Sequence, residues 1–202
     1  DTMLIVIGWV LALAPIGVFA LGYALAVKAG VAAFGGLVHY VLILSVVGVC
    51  CILLGLLLAW LVAGVPLPRF IRAMVPTLAV AISTQSSLAS LPAMLRASEE
   101  LGVEPKKADI VLPLAVALFR FTSPAMNIAV VIYVAWLFKI ELSPWEMAVG
   151  LAVALAAALS SVSLPGSISF VTSIAPIAGA MGVPVAPLGL LVAVETFPDI
   201  FR

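Results

Sequence analysis

Of 202 residues, 65% are hydrophobic and 9% charged, against roughly 25% charged residues in soluble domains, which excludes a fold with a water-solvated surface. Nine basic and nine acidic residues cancel to a formal net charge of zero. No basic tract is present, so nucleic acid is not an expected partner. The expectation is an all-α integral membrane protein that crosses the cell (plasma or inner) membrane several times, with the lipid bilayer as its surroundings.

From Thr2 to Val27 no charged side chain occurs, and from Ala29 to Val65 only His39, cysteines and a tyrosine interrupt the apolar run. Each stretch exceeds the ~20 residues needed to cross a bilayer, predicting transmembrane helices over 1–28 and 35–64. Asp1 stands where a signal peptide has a basic region, and the first run is too long for a signal core. Cys50 and Cys51 are adjacent in mid-span, where a mutual bridge is geometrically disfavoured and no metal-ligand spacing exists; both are expected to pack. Without an initiator Met, and ending inside an apolar segment at Arg202, the chain is expected to be part of a longer protein.

The pattern changes after Ala63. Pro66, Pro68 and Pro76 punctuate the chain, and a short apolar arm runs into the polar cluster Ser83 to Ser87. A second short arm then leads to Arg96, Glu99 and Glu100. Neither arm reaches ~20 residues, so 69–102 is predicted to be a re-entrant hairpin, tolerated only where its irregular backbone lines a cavity or is buried in protein. Arg69, Arg72, Arg96, Lys106 and Lys107 then share one face, which the excess of basic residues makes cytoplasmic.

Residues 106–139 form a long segment with Pro113 and the sequence Phe119-Arg120-Phe121-Thr122-Ser123-Pro124. A break is expected just before Pro124, which lacks an amide and clashes with the preceding turn. A second hairpin is predicted over 144–183, its tip running from Ser160 to Ser167, and a last transmembrane helix begins at 185–202. Ser-Leu-Pro occurs in both tips. Interrupted hydrophobic segments in matching positions point to a transporter of inverted repeats with its site near the midplane. The competing structural reading is two spanning helices kinked by Ser and Pro.

In order and spacing the chain resembles the dicarboxylate/amino acid:cation symporter family, which includes glutamate and aspartate transporters. The resemblance rests on Ala14 to Leu21 in an early helix, Thr84-Gln85-Ser86-Ser87-Leu88-Ala89-Ser90-Leu91-Pro92 at the first tip and Leu112-Pro113-Leu114 opening the broken helix. Leu164-Pro165-Gly166 at the second tip and Asp199-Ile200-Phe201-Arg202 in the last helix complete it. It implies a homotrimeric elevator transporter, with 1–28 in a fixed scaffold and the rest mostly in a mobile transport domain. It also implies an acidic amino acid or C4-dicarboxylate as substrate, no cofactor, and Na+ or H+ as the coupling ion.

A substrate carboxylate needs donors in place of water, and a re-entrant tip supplies Ser hydroxyls, free amides and a helix N-terminus. The resemblance assigns this role to Ser86 and Ser87, with backbone help near Val162 and Pro165; the competing reading has the hydroxyls bonded to carbonyls a turn earlier. Glu195, Asp199 and Arg202 fall along one face of an otherwise apolar helix, where buried charge is costly and functional by default. By the resemblance Asp199 holds an amino group and Arg202 grips a side-chain carboxylate through its two-pronged fork. The competing reading is an Asp199–Arg202 ion pair.

One departure stands out. Where the family has Asn-Met-Asp-Gly-Thr, this chain has Phe119-Arg120-Phe121-Thr122-Ser123, and only Ser123 keeps a related side chain for the substrate. Losing the Asp and gaining Arg120 makes the locality about two charges more positive, against a bound sodium ion. The expectation is that Arg120 acts as a tethered cation paired with Glu195, Asp199 or the substrate, so that transport is proton-coupled, coupled through other ions, or an uncoupled exchange. The alternative is that Arg120 satisfies loose carbonyls at the break.

An ion channel could also use short hairpins, but no carbonyl-filter sequence is present. An intramembrane hydrolase lacks a Gly-x-Ser-x-Gly elbow, and His39 is remote from the serines, so no enzyme is expected. A dicarboxylate-selective carrier and a non-transporting relative remain as alternatives.

Overall fold

In the computed structural model the described residues are 23, 35–62, 64–118, 122–160, 167–192 and 194–201. Among them every regular element is a helix and there is no strand. Helix α1, Gly35–Val62, is long and apolar enough to cross a membrane; at 1.5 Å per residue its 28 residues extend about 42 Å, past the ~30 Å hydrocarbon layer. It buries Tyr40, Leu44 and Gly48, spaced at four residues on one stripe, while Leu42, Val46, Val49, Leu53 and Leu61 stay exposed. A helix with one narrow buried stripe and apolar residues all around fits protein on one side and lipid on the other. The predicted span over 1–28 lies outside the described residues, apart from Tyr23.

Helices α2 (Leu67–Thr84) and α3 (Ser87–Glu100) pack on each other. At 18 and 14 residues they are about 27 and 21 Å long, short of a full crossing. A two-residue turn joins them: Gln85 takes a left-handed conformation (φ 49°) and returns its amide to the Ala81 carbonyl at 2.7 Å, and Ser86 is extended. At the opposite end Arg69 Nη2 donates to the Glu100 carbonyl at 2.9 Å, a cation on the carbonyl end of α3, where the helix dipole favours it. The pair is thus antiparallel, with charge at its base and hydroxyls at its turn.

α4 (Pro105–Leu118) follows on α3, and α5 (Thr122–Leu137) is the hub of the core. Met126, Val130, Val131, Tyr133, Val134 and Ala135 of α5 are buried. α4 ends at Leu118 and α5 is described from Thr122, two residues before Pro124; the stretch in which the break was expected, 119–121, lies outside the described residues. Arg120 and its neighbours 119 and 121 lie outside the described residues.

α6 (Pro144–Ser160) and α7 (Ser167–Ala180) pack on each other and on α5, with Phe170, Ile174, Ile177, Ala178 and Met181 in the core. α5 and α7 end in the same manner: the amides of Ile140 and Val183 reach back to Ala135 and Ala178 at 2.8 Å, past a left-handed Lys139 or Gly182. These are Schellman ends, which satisfy the last carbonyls and stop the helix sharply.

The start of α6 is a reciprocal cap. Ser143 donates its amide and hydroxyl to Glu146 Oε2, both at 2.7 Å, and the Glu146 amide donates to Ser143 Oγ at 3.3 Å. With Pro144 in the first helical position, Ser-Pro-Trp-Glu is a capping box written in the sequence. The bonds from Ser143 hold the Glu146 carboxyl below its ordinary value. A depressed folded-state value contributes stability that is fully present above the unfolded carboxylate range and lost as pH falls through the folded one. Ser143→Ala should therefore lower the unfolding temperature at neutral pH, and the difference from the unaltered protein should shrink in acid, as followed by thermal unfolding in detergent.

The last helix expected over 185–202 is divided into α8 (Leu188–Leu191) and α9 (Thr196–Asp199). Val194 and Phe201 bond three residues back, to Leu191 and Pro198, the tighter pattern of a 3₁₀ turn, and Pro187 and Pro198 contribute no amide. The turn between Glu195 and Asp199 is retained through the Asp199 amide on the Glu195 carbonyl at 2.9 Å.

Candidate substrate site

The turn between α2 and α3 is positioned by its own polar groups. Ser86 caps α3, its Oγ accepting from the Ala89 amide at 3.3 Å, and Ser90 Oγ donates to the Ser86 carbonyl at 3.0 Å. Ser83 and Thr84, on the α2 side, both donate to the Val80 carbonyl at 3.0 and 2.8 Å. The back-bonding weighed against the serines is therefore what Ser83, Thr84 and Ser90 do, whereas Ser86 stands at the cap with its hydroxyl proton still to give. Ser87 opens the helix; its amide and that of Leu88 belong to the first turn, where no helical acceptor exists. Half-buried Ser86 and Ser87 thus sit at the partially positive end of a 14-residue helix.

This turn meets the C-terminal segment. Gln85 Nε2 donates to the Thr196 carbonyl at 3.0 Å, across 111 residues of chain. Thr196 lies between Glu195 and Asp199, so the first turn and the acidic turn are brought together. Asp199 is half-buried. Glu195 is 5% exposed, and its Oε2 accepts from Tyr40 Oη of α1 at 2.5 Å. Phe201 lies directly on Gly48 of the same helix, so close that a Cβ at Gly48 would collide with Phe201 Cβ.

Ser123 is buried at 2% exposure in the first turn of α5. Val162 and Pro165 of the second tip, Arg120, and the last residue Arg202 lie outside the described residues. The structure therefore brings Ser86, Ser87, Glu195 and Asp199 into one neighbourhood through Gln85.

Two contributors escaped the sequence reading. Gln85 was visible inside the tip motif, but which of its polar residues would turn toward the last segment depends on the left-handed backbone at that position. Tyr40 looked like an ordinary interruption of an apolar run; its place on the stripe with Leu44 and Gly48 was the available signal. His39, on the neighbouring face, stacks near Trp136 (ring centroids 5.3 Å) and places Nδ1 3.3 Å from Tyr133 Oη. That is a packing arrangement at the helix surface.

Residues 1–202 match the Sodium:dicarboxylate symporter family throughout. A C4-dicarboxylate transport protein of Caulobacter vibrioides is 30% identical over 194 residues, covering 93% of this chain and 45% of that protein. The proton/glutamate-aspartate symporter of Escherichia coli is 26% identical over 204 residues, covering 100% of this chain and 46% of that protein. A proton/sodium-glutamate symport protein of Bacillus subtilis is 26% identical over 203 residues, covering 98% and 46%. The chain thus spans less than half the length of these relatives. With its apolar helices, its short helix pair and a family match along its whole length, the chain belongs to the sodium:dicarboxylate symporter family, which consists of transporters and not of enzymes.

Proposed function

We propose that the protein containing this chain is a secondary active symporter of acidic amino acids or C4-dicarboxylates. The substrate lies between the α2–α3 turn, the second tip and the C-terminal acidic turn. The observation that supports this reading most directly is the Gln85–Thr196 bond, since it joins two polar breaks in otherwise apolar segments. Discontinuous helices meeting in this way offer a carboxylate the amides and hydroxyls of one helix start, at Ser86 and Ser87. They offer an amino group the carboxylate of Asp199. Ser123, Val162, Pro165 and Arg202 complete the proposed substrate set, and the pairs α2–α3 and α6–α7 act as re-entrant hairpins of an elevator that works as a homotrimer.

Asp199 favours an acidic amino acid, because a substrate without an ammonium group gains nothing from a second carboxylate nearby and is repelled by it. The names of the relatives span both substrate classes, as they do both coupling ions. In coupling, Arg120 supplies as a fixed charge what a bound sodium ion supplies elsewhere, so the driving ion is a proton or the substrate is exchanged.

The test is uptake of radiolabelled aspartate into proteoliposomes of the full-length protein, with sodium and proton gradients imposed separately and unlabelled succinate as competitor. Uptake that follows the proton gradient or a counter-substrate and is insensitive to sodium is expected. Sodium-driven uptake would overturn the role of Arg120. Succinate uptake without aspartate uptake would establish the dicarboxylate carrier instead, and binding without flux a non-transporting relative.

A further inference from the structure

Glu195 is a carboxyl group buried at 5% exposure in an apolar setting, and such a group requires compensating partners. One of them comes from α1: Tyr40, itself 0% exposed, donates its phenolic hydrogen to Glu195 Oε2. Tyr40 is held in turn by its ring, which meets Tyr133 of α5 edge-on at 5.2 Å between centroids. Tyr133 is anchored by its own hydroxyl on the Gly36 carbonyl at 2.8 Å. A hydrogen bond between two buried groups thus ties the acidic turn to α1, and ring packing ties that point to α5.

The fastening point falls next to the site. Thr196, the residue after Glu195, receives Gln85 from the α2–α3 turn, and Asp199 stands one helical turn on, with its amide on the Glu195 carbonyl. Two elements thus grip consecutive residues from different sides. Asp199 belongs to the same turn, its amide bonded to the Glu195 carbonyl, so the seating of Glu195 bears on where that turn stands. Two turns along α1 from Tyr40, Gly48 admits Phe201, giving the segment a second, purely steric seat on the same helix.

We infer that Tyr40, acting through Glu195, is a positioning residue for the substrate's amino group: it sets where the Asp199 carboxylate stands and so contributes to the choice between amino acid and plain dicarboxylate. The inference rests on the carrier reading above. It adds a determinant of selectivity on α1 that need not touch substrate, and it makes Glu195 a structural acceptor whose geometry is transmitted along one helical turn. A directed hydrogen bond between two buried groups suits this task better than apolar contact does, because it specifies orientation as well as distance.

The test uses the full-length protein in proteoliposomes with Tyr40→Phe, Glu195→Gln and the double variant, reading KM and maximal rate for labelled aspartate and for labelled succinate, alongside thermal unfolding in detergent. Tyr40→Phe keeps the ring and removes only the hydroxyl. The expected result is a rise of about tenfold in the aspartate KM, with the succinate KM changed by less than about twofold and maximal rates retained. The double variant should resemble the worse single variant, since residues sharing one bond are not additive. An unchanged aspartate KM in Tyr40→Phe would overturn the inference while leaving the carrier reading intact. So would a loss of maximal rate for both substrates that tracks a lowered unfolding temperature, the signature of a merely structural bond. Absence of aspartate uptake by the unaltered protein would overturn the amino-acid reading and the inference together.

Discussion

Replacing Asp199 by asparagine is expected to lower aspartate uptake at subsaturating concentration by about tenfold to a hundredfold while leaving succinate uptake nearly unchanged or improved. The size follows from the bond that is lost. A hydrogen bond between ionised partners is worth about 1.5–3 kcal/mol, and each 1.4 kcal/mol is about a factor of ten in affinity. Asparagine keeps the shape and one acceptor, so the variant tests charge and not packing. Asp199 is half-buried, which reduces screening by water relative to a surface site. For succinate the sign reverses, because the removed charge repels a substrate carboxylate. Parallel KM measurements for the two substrates decide the matter. An equal loss for both would mean that Asp199 supports the segment instead of recognising an amino group.

Gly48→Ala should be the most damaging methyl group that can be added to α1. The new Cβ would meet Phe201 at its own Cβ, an atom fixed to the backbone, so the whole C-terminal turn has to move. Overpacking of this kind costs about 1–3 kcal/mol, against a gain of roughly 0.5–1 kcal/mol from replacing Gly by Ala inside a helix. A net loss is expected, seen as a fall of several degrees in unfolding temperature at about 2–4 °C per kcal/mol, together with weaker aspartate uptake as Asp199 is displaced. Gly150→Ala on α6 provides the contrast. Its Cβ would meet Met181 at Sδ and Cγ, atoms of a flexible side chain that can repack, though inside the core, without moving the backbone. That variant should lose less than Gly48→Ala in both measurements. A Gly150→Ala protein as damaged as Gly48→Ala would contradict the distinction between a backbone-fixed and a side-chain obstacle.

Much of this molecule was legible before any coordinates. Hydropathy alone demanded helices, because a backbone surrounded by hydrocarbon must satisfy its amides and carbonyls within each segment. The polar cluster from Ser83 to Ser87 marked a turn between two short arms. Such features are local: capping, helix breaking and burial of a stripe are settled by residues within a turn or two of one another. The motif order from Ala14 to Arg202 carried the family as well.

What the chain order could not decide was which distant groups meet. Glu195 was expected to lie along a charged face with Asp199 and Arg202; among the described residues it accepts from Tyr40, 155 positions away, while Arg120 and Arg202 lie outside them. Gln85 was one polar residue among five in its cluster, and only the left-handed turn turns it to Thr196. The last segment was expected as one helix, yet it forms two short pieces, α8 and α9, the second containing Pro198, which has no amide to give to the preceding turn. Sequence by itself determined that this is a helical membrane protein of a symporter family with polar breaks where a substrate could bind. The tertiary structure alone decided how the acidic turn is seated between α1 and the first tip, because a hydrogen bond or a steric seat depends on ångström-scale placement of atoms that no local pattern of residues encodes.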